Sequence, residues 1–161
     1  MYVIGLVSDT HVPRRAKALP DTLLQGLQGV DLILHAGDLV ASEVLDILGA
    51  IAPVVAVAGN MDPPDVRAQL GTSRVLTVDK LKIGLIHGDG SRGTTAGRAR
   101  AAFPHAGCIV FGHSHQPLVE RHGKVLLVNP GSPTDPRYGH RCSYGLLYVN
   151  EGKPSAEIIY F

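Results

Sequence analysis

The sequence has no tryptophan, three phenylalanines and two cysteines among its 161 residues. Cys108 and Cys142 are too few for a disulfide framework or a cysteine-based zinc cluster, which excludes the small stapled secreted folds. A dominant charge is also missing: fifteen Lys+Arg stand against fourteen Asp+Glu, a formal +1. No whole-protein field therefore draws the chain to DNA or to anionic lipid. With eight aromatic residues in all (three Phe, five Tyr), a base-stacking surface is not expected, and nucleic acid is not expected as the principal substrate. No apolar stretch approaches the roughly 18 residues of a membrane span. The first apolar run, Tyr2 to Val7, has no basic leader and is too short for a signal peptide. The expectation is a cytoplasmic protein with no membrane partner.

What is present is a globular composition, 45% hydrophobic and 18% charged, in a length that suits one domain over residues 1–161. The first half alternates strand-like and helix-like segments. Tyr2 to Val7 and Asp31 to His35 are continuous apolar runs, as in strands buried on both faces. A helix is predicted from Pro20-Asp21 onward, with Leu23, Leu24 and Leu27 on one face. Ser42 is predicted to cap a second helix that Gly49 stops. Val54 to Ala58 reads as a third strand, so the opening points to parallel β-α-β crossovers. Later, Arg74 to Val78 and Leu81 to Ile86 read as a hairpin about Asp79-Lys80, and Thr95 to Ala102 as a helix stopped by Pro104. From Cys108 onward, short runs at 108–111, 117–121, 124–128, 143–149 and 156–160 read as antiparallel strands separated by turns.

Eight histidines stand out in so plain a chain. Five of the segments rich in potential ligands follow predicted strands: Ser8-Asp9-Thr10-His11, Gly37-Asp38, Gly59-Asn60, His87-Gly88 and Gly112-His113-Ser114-His115. In open α/β sheets the loops after the strands converge into a site. Asp9 and His11 are two apart, as are His113 and His115, so an extended backbone would point each pair one way. Carboxylate, imidazole and amide oxygen without sulfur favour Mn²⁺ first, with Fe, Zn²⁺ or Ni²⁺ as alternatives, over structural zinc. Seven such groups are too many for one ion. They suit two ions about 3.5–4 Å apart sharing a carboxylate, with Asp38 placed to be the shared one.

In order, the motifs D-x-H (Asp9, His11), G-D (Asp38), G-N-x-D (Asn60, Asp62), H-G (His87) and G-H-x-H (His113, His115) resemble those of the calcineurin-like metallophosphoesterase superfamily. The small size and the Asn129-Pro130-Gly131-Ser132 segment resemble its compact YfcE/MJ0936-type phosphodiesterases. The resemblance implies an α/β fold, a four-layer α-β-β-α sandwich of two mixed sheets flanked by helices. It implies a first metal on Asp9, His11, Asp38 and His115, and a second on Asp38, Asn60, His87 and His113. A hydroxide between the metals would attack phosphorus in a small phosphate ester, with Asp38, Asn60 and His113 the residues expected to serve catalysis.

Two positions depart from that pattern. Relatives with G-N-H-[DE] carry a histidine that helps protonate the leaving group, where this chain has Met61. The change favours diesters or activated leaving groups over simple monoesters, and it leaves Asp62 to serve the loop. Asp89 follows His87-Gly88 where H-G-H is common in the compact group. The other functions weighed are a VPS29-like scaffold or binding subunit on the same fold and a phosphomonoesterase. A homo-oligomer is left open.

The other histidines read as structural or solvated. His35, at a strand end, is expected to make a structural hydrogen bond, while His105 and His122 are expected in solvent. His140 is the best stand-in for the missing acid, in a segment (Asp135 to Arg141) expected to border the pocket. Arg92, Arg98 and Arg100 read as a solvated helix face, with Arg92 the alternative partner for a substrate phosphate. Cys108 reads as a core residue.

Overall fold

Residues 1–138 and 141–161 are described by the computed structural model. Among the described residues, ten strands and four short helices follow one another as β1 (Tyr2–Val7), α1 (Asp21–Gly26), β2 (Leu32–His35), α2 (Glu43–Gly49), β3 (Val54–Ala56), α3 (Pro64–Leu70), β4 (Ser73–Val78), β5 (Leu81–Ile86), α4 (Thr95–Ala102), β6 (Cys108–Val110), β7 (Leu118–His122), β8 (Val125–Asn129), β9 (Ser143–Asn150) and β10 (Lys153–Tyr160). They form two five-stranded mixed sheets, ordered β10-β9-β1-β2-β3 and β4-β5-β6-β8-β7.

Why the apolar runs are continuous is visible in the packing. Alternate residues face opposite sides of a strand, and here both sides are covered. Ile4, Leu6 and Leu34 from one sheet meet Ile83, Leu85, Cys108, Val110, Leu126 and Val128 from the other in the central layer. Val7 and Ile33 face outward against Leu23 of α1 and Leu27 just after it, Val44 and Leu48 of α2 and Val66 of α3. On the far side Ile109 and Leu127 meet Ala99 of α4, with Phe103 and Phe111. The result is the expected four-layer α-β-β-α sandwich. Each fully buried Leu, Ile or Phe contributes about 1.5–3 kcal/mol, so the hydrophobic layers hold the loops above them.

Strands β1, β2 and β3 pair in parallel, as the crossovers predict. The later strands are not all antiparallel, because β5 pairs with β6 and β6 with β8 in parallel. Short runs with turn residues do not reveal which neighbour a strand selects. Six strands thus send their carboxyl ends to one rim: β1, β2 and β3, and β5, β6 and β8.

Two local expectations are corrected. Helix α3 was not predicted: it buries only Val66 and starts behind Pro63-Pro64, so it shows no apolar stripe, although proline is well tolerated in a first helical turn. Ser42 occupies the N-cap position of α2 with helical dihedrals (φ −63°, ψ −22°) and makes no side-chain cap bond, since capping needs an extended residue there.

Candidate metal centre

The predicted ligands come from the loops leaving that rim. Main-chain bonds lock the loops together: Asp9 N donates to Gly37 O (3.0 Å), His11 N to Asp38 O (3.0 Å) and Gly112 N to His87 O (3.0 Å). The two-residue spacing works by a different geometry from the one expected. Asp9, His11, Asp38, His113 and His115 have φ of 55°, 45°, 58°, 70° and 58°, so the backbone is left-handed rather than extended. Such dihedrals cost on the order of 1–3 kcal/mol each and persist only where surroundings impose them. Gathering five at one rim marks it as a built site.

The two carboxylates share a pattern. Asp9 Oδ2 accepts from Ser8 Oγ (2.8 Å) and His113 N (3.0 Å), and Asp38 Oδ1 accepts from Met61 N (2.8 Å). Each second oxygen faces the imidazoles. Asp9 Oδ1 lies 3.4 Å from His115 Nε2, 3.8 Å from His11 Nε2 and 3.9 Å from His87 Nε2. Asp38 Oδ2 lies 3.1 Å from His87 Nε2 and 3.6 Å from His11 Nε2. Close approach here requires glycine: a Cβ at Gly112 would strike Ser8 Oγ, and one at Gly59 would strike Asp38 Oδ1.

The imidazoles are aimed from behind. His87 Nδ1 donates to Ala36 O (2.8 Å) and His115 Nδ1 to Asp135 O (2.6 Å), leaving both Nε2 atoms toward the carboxylates, the arrangement that orients metal-binding histidines. Ligand atoms of Asp9, His11 and His115 lie within 4.8 Å of one another, as do those of Asp9, Asp38 and His87. Asp9 Oδ1, His11 Nε2 and His115 Nε2 are buried with no hydrogen-bond partner. A buried polar atom without a partner is costly, and three facing each other fit a divalent cation.

Charge is tuned accordingly. Burial pushes the Asp9 carboxyl up, but His11, His87, His115 and the Ser8 hydroxyl together hold it at about 2. Burial lowers His87, yet Asp38 and Asp9 outweigh it and raise the imidazole to about 9. His87 Nδ1 bonds Ala36 O, and its Nε2 lies 3.0 Å from Asn60 Oδ1. Asn60 is exposed at the mouth. His113 lies outside the two tight groups, its ring edge-on to His87 at 5.1 Å; burial and the His87 charge lower its pKa.

Around this cluster the expectations divide. His35 makes its structural bonds, accepting from Gly37 N at Nδ1 (3.1 Å) and meeting Thr10 Oγ1 at 3.2 Å through Nε2; burial drops its pKa to about 4. His105 is exposed, and His122 pairs with Glu120 at 3.1 Å at the surface. Cys108 is buried in the core, its thiol pushed by burial to about 12. Asp62 serves the loop as expected, accepting from Asp38 N, Gly59 N and Val40 N at 2.9, 2.8 and 2.7 Å. Asn129 and Ser132 stand behind the site: Asn129 Nδ2 donates to Gly112 O and Ser132 Oγ to Asp9 O. His140 lies outside the described residues.

Arg98 corrects the solvated-face reading. Its guanidinium donates to Gly88 O, Arg92 O and Gly93 O at 2.9, 2.8 and 3.1 Å, tying down the loop that follows His87. Asp135, Arg15 and Arg137 cluster beside His115. Asp135 and Arg137 lie in the segment expected to border the pocket, while Arg15 comes from a basic run at 13–17 that carried no expectation of a site.

Comparison with known proteins gives a consistent result. The model of the calcineurin-like phosphoesterase superfamily domain matches residues 2–152. A probable metallophosphoesterase of Methanothermobacter thermautotrophicus is 39% identical over 159 residues, 98% of this chain and 91% of the relative. Phosphodiesterase YfcE of Escherichia coli is 44% identical over 39 residues, 24% of this chain and 21% of YfcE. Among solved structures, wild-type Vps29 of Entamoeba histolytica, complexed with Zn²⁺, superposes with a TM-score of 0.77 at 25% identity, with 98% of each chain covered.

Proposed function

The chain belongs to the calcineurin-like phosphoesterase superfamily, and from that premise we propose that it is a metal-dependent phosphodiesterase working as one domain in the cytoplasm. Two divalent cations, Mn²⁺ by preference, would be held by Asp9, His11, Asp38 and His115 and by Asp38, Asn60, His87 and His113. The observation that carries the reading is the set of buried, unpartnered atoms on Asp9, His11 and His115. Asp38 is proposed as the shared ligand because its Oδ2 lies between the Nε2 atoms of His11 and His87, one from each set.

When bound, the cations activate a water as nucleophile and draw charge from the phosphoryl oxygens. The chain itself supplies alignment. Ala36 and Asp135 carbonyls fix the two histidine rings, so no reorganisation is needed during turnover. Asn60 and His113, the more accessible members, stand at the mouth to donate to a phosphoryl oxygen. Met61, 44% exposed there, offers only a thioether and no proton. Esters with good leaving groups, diesters above all, are therefore the proposed substrates, since general acid catalysis is worth about 10²–10⁴ in rate for poor ones.

Hydrolysis of an activated aryl phosphodiester beside the matching monoester, with and without Mn²⁺, tests the proposal. Metal-dependent turnover favouring the diester is expected. Preference for the monoester would turn the reading to a phosphomonoesterase. The second reading, a non-catalytic scaffold, is favoured by the likeness to Vps29 along nearly the whole chain, and absence of turnover with Mn²⁺, Ni²⁺, Zn²⁺ or Fe²⁺ would select it.

A further inference from the structure

Charge along this chain is nearly balanced, but not beside the metal centre. Residues 13–17 and 135–141 carry Arg14, Arg15, Lys17, Arg137 and Arg141 against Asp135 alone. The two segments meet at Asp135: Arg15 Nε and Arg137 Nε each lie 3.6 Å from Asp135 Oδ2, and His115 Nδ1 lies 3.7 Å from it. These separations are too long for hydrogen bonds, and Asp135 Oδ2 is buried without one. The carboxylate thus gathers two guanidiniums without using their donors, and both arginines remain substantially exposed, at 59% and 41% of the side chain.

Both arms are anchored to the metal centre. Arg15 N donates to His11 O at 2.7 Å. Asp135 accepts from His115 through its carbonyl, and its own N–H donates to Ser132 Oγ, the hydroxyl that holds Asp9 O. The backbone of Arg15, and that of Asp135 two residues before Arg137, are therefore tied to the cluster, while the two guanidiniums stay free to meet a ligand. Guanidinium forks match the oxygens of a phosphate two at a time.

We propose that Arg15 and Arg137, drawn together by Asp135 beside His115, bind a second phosphate group of the substrate. The preferred substrate is then a phosphate ester carrying a further phosphate remote from the scissile bond. This inference rests on the phosphoesterase reading above and names the substrate class for that same site.

A matched pair of chromogenic esters tests it: a nucleoside 5′-(p-nitrophenyl phosphate) with and without a 3′-phosphate. The leaving group is common to both, so only the remote phosphate differs. The 3′-phosphorylated ester is expected to show a kcat/KM roughly tenfold higher or more, equivalent to about 1.4 kcal/mol. That ratio should fall to about 1 in the Arg15→Gln, Arg137→Gln double variant and stay intermediate with Lys at both positions. Either single Gln variant serves if the double variant does not fold. A second readout is equilibrium binding of a nucleoside 3′,5′-bisphosphate against the 5′-monophosphate to metal-stripped protein, with the same ratio expected. A wild-type ratio near 1, or one that survives the double substitution, overturns the inference. Loss of all turnover with an intact binding ratio would instead fail the phosphoesterase reading and keep the anion site.

Discussion

Asp62→Asn is the most informative single substitution, because Asp62 touches no predicted substrate yet holds the loops that carry two candidate ligands. Its side chain is buried at 4% exposure and accepts three main-chain N–H groups, from Asp38, Gly59 and Val40. Two of these, Asp38 and Val40, are non-glycine residues with left-handed φ of 58° and 77°, a conformation rare for β-branched valine. Asparagine keeps one acceptor oxygen and turns an NH₂ toward donors that the second oxygen satisfied. A hydrogen bond to a charged group is worth about 1.5–3 kcal/mol, so losing even part of this set should cost about 3 kcal/mol. For a chain of this size that is a fall in Tm of roughly 6–12 °C. Urea unfolding of metal-free protein measures it directly, as a shifted midpoint at unchanged slope. Asp65→Asn, on an exposed position of α3, is the control and should stay within about 0.5 kcal/mol. Equal midpoints for the two variants would refute the argument that Asp62 builds the rim.

Other outcomes follow from the same geometry. Asp38→Ala and His115→Ala should each abolish turnover and lower bound metal, measured by mass spectrometry, whereas His122→Ala at its surface pair should do neither. Gly112→Ala places a methyl against Ser8 Oγ and Asp9 Oδ2 and should destabilise by about 1–3 kcal/mol, seen in thermal melts. Met61→His should raise turnover of poor-leaving-group esters by at least roughly tenfold if the missing donor limits them; an unchanged rate counts against that cause. At the metal centre the pH dependence of the metal-free protein has two edges, beside the loss that His35, lowered to about 4, adds as pH falls from 6.5. His87 is raised from 6.5 to about 9, so its contribution is fully present below pH 6.5 and lost as pH rises toward 9, a loss of up to about 3 kcal/mol. Asp9 is depressed to about 2, so its contribution is present above pH 3.8 and lost as pH falls toward 2; urea midpoints across pH should trace both.

Much of the site was legible because ligand chemistry sits in short motifs at strand ends. Glycine beside Asp38, Asn60, His87 and His113 signalled the close approach that Gly59 and Gly112 make. The reason the pairs converge was not legible, because the enrichment of Asp and His in the left-handed region is too weak to mark any one position. Helix α3 escaped because one buried residue, Val66, leaves no periodicity. The parallel pairing of β6 with β5 and β8 depends on which strands the central layer brings together, a choice that no single run encodes. Arg98 read as solvated because its partners are main-chain carbonyls of a loop, and carbonyls are the same in every sequence. The gathering of Arg15 and Arg137 on Asp135 joins segments from the two halves of the chain, which no local pattern reveals.

The central claim is that turnover depends on two cations held by this rim. The most direct measurement titrates metal-stripped protein with Mn²⁺ while recording bound metal and diester hydrolysis on the same samples. The account predicts that activity rises to a plateau as occupancy reaches two ions per chain, and that His11→Ala flattens both curves. Full activity in the stripped protein, or two ions bound with no hydrolysis of any phosphate ester, would contradict it.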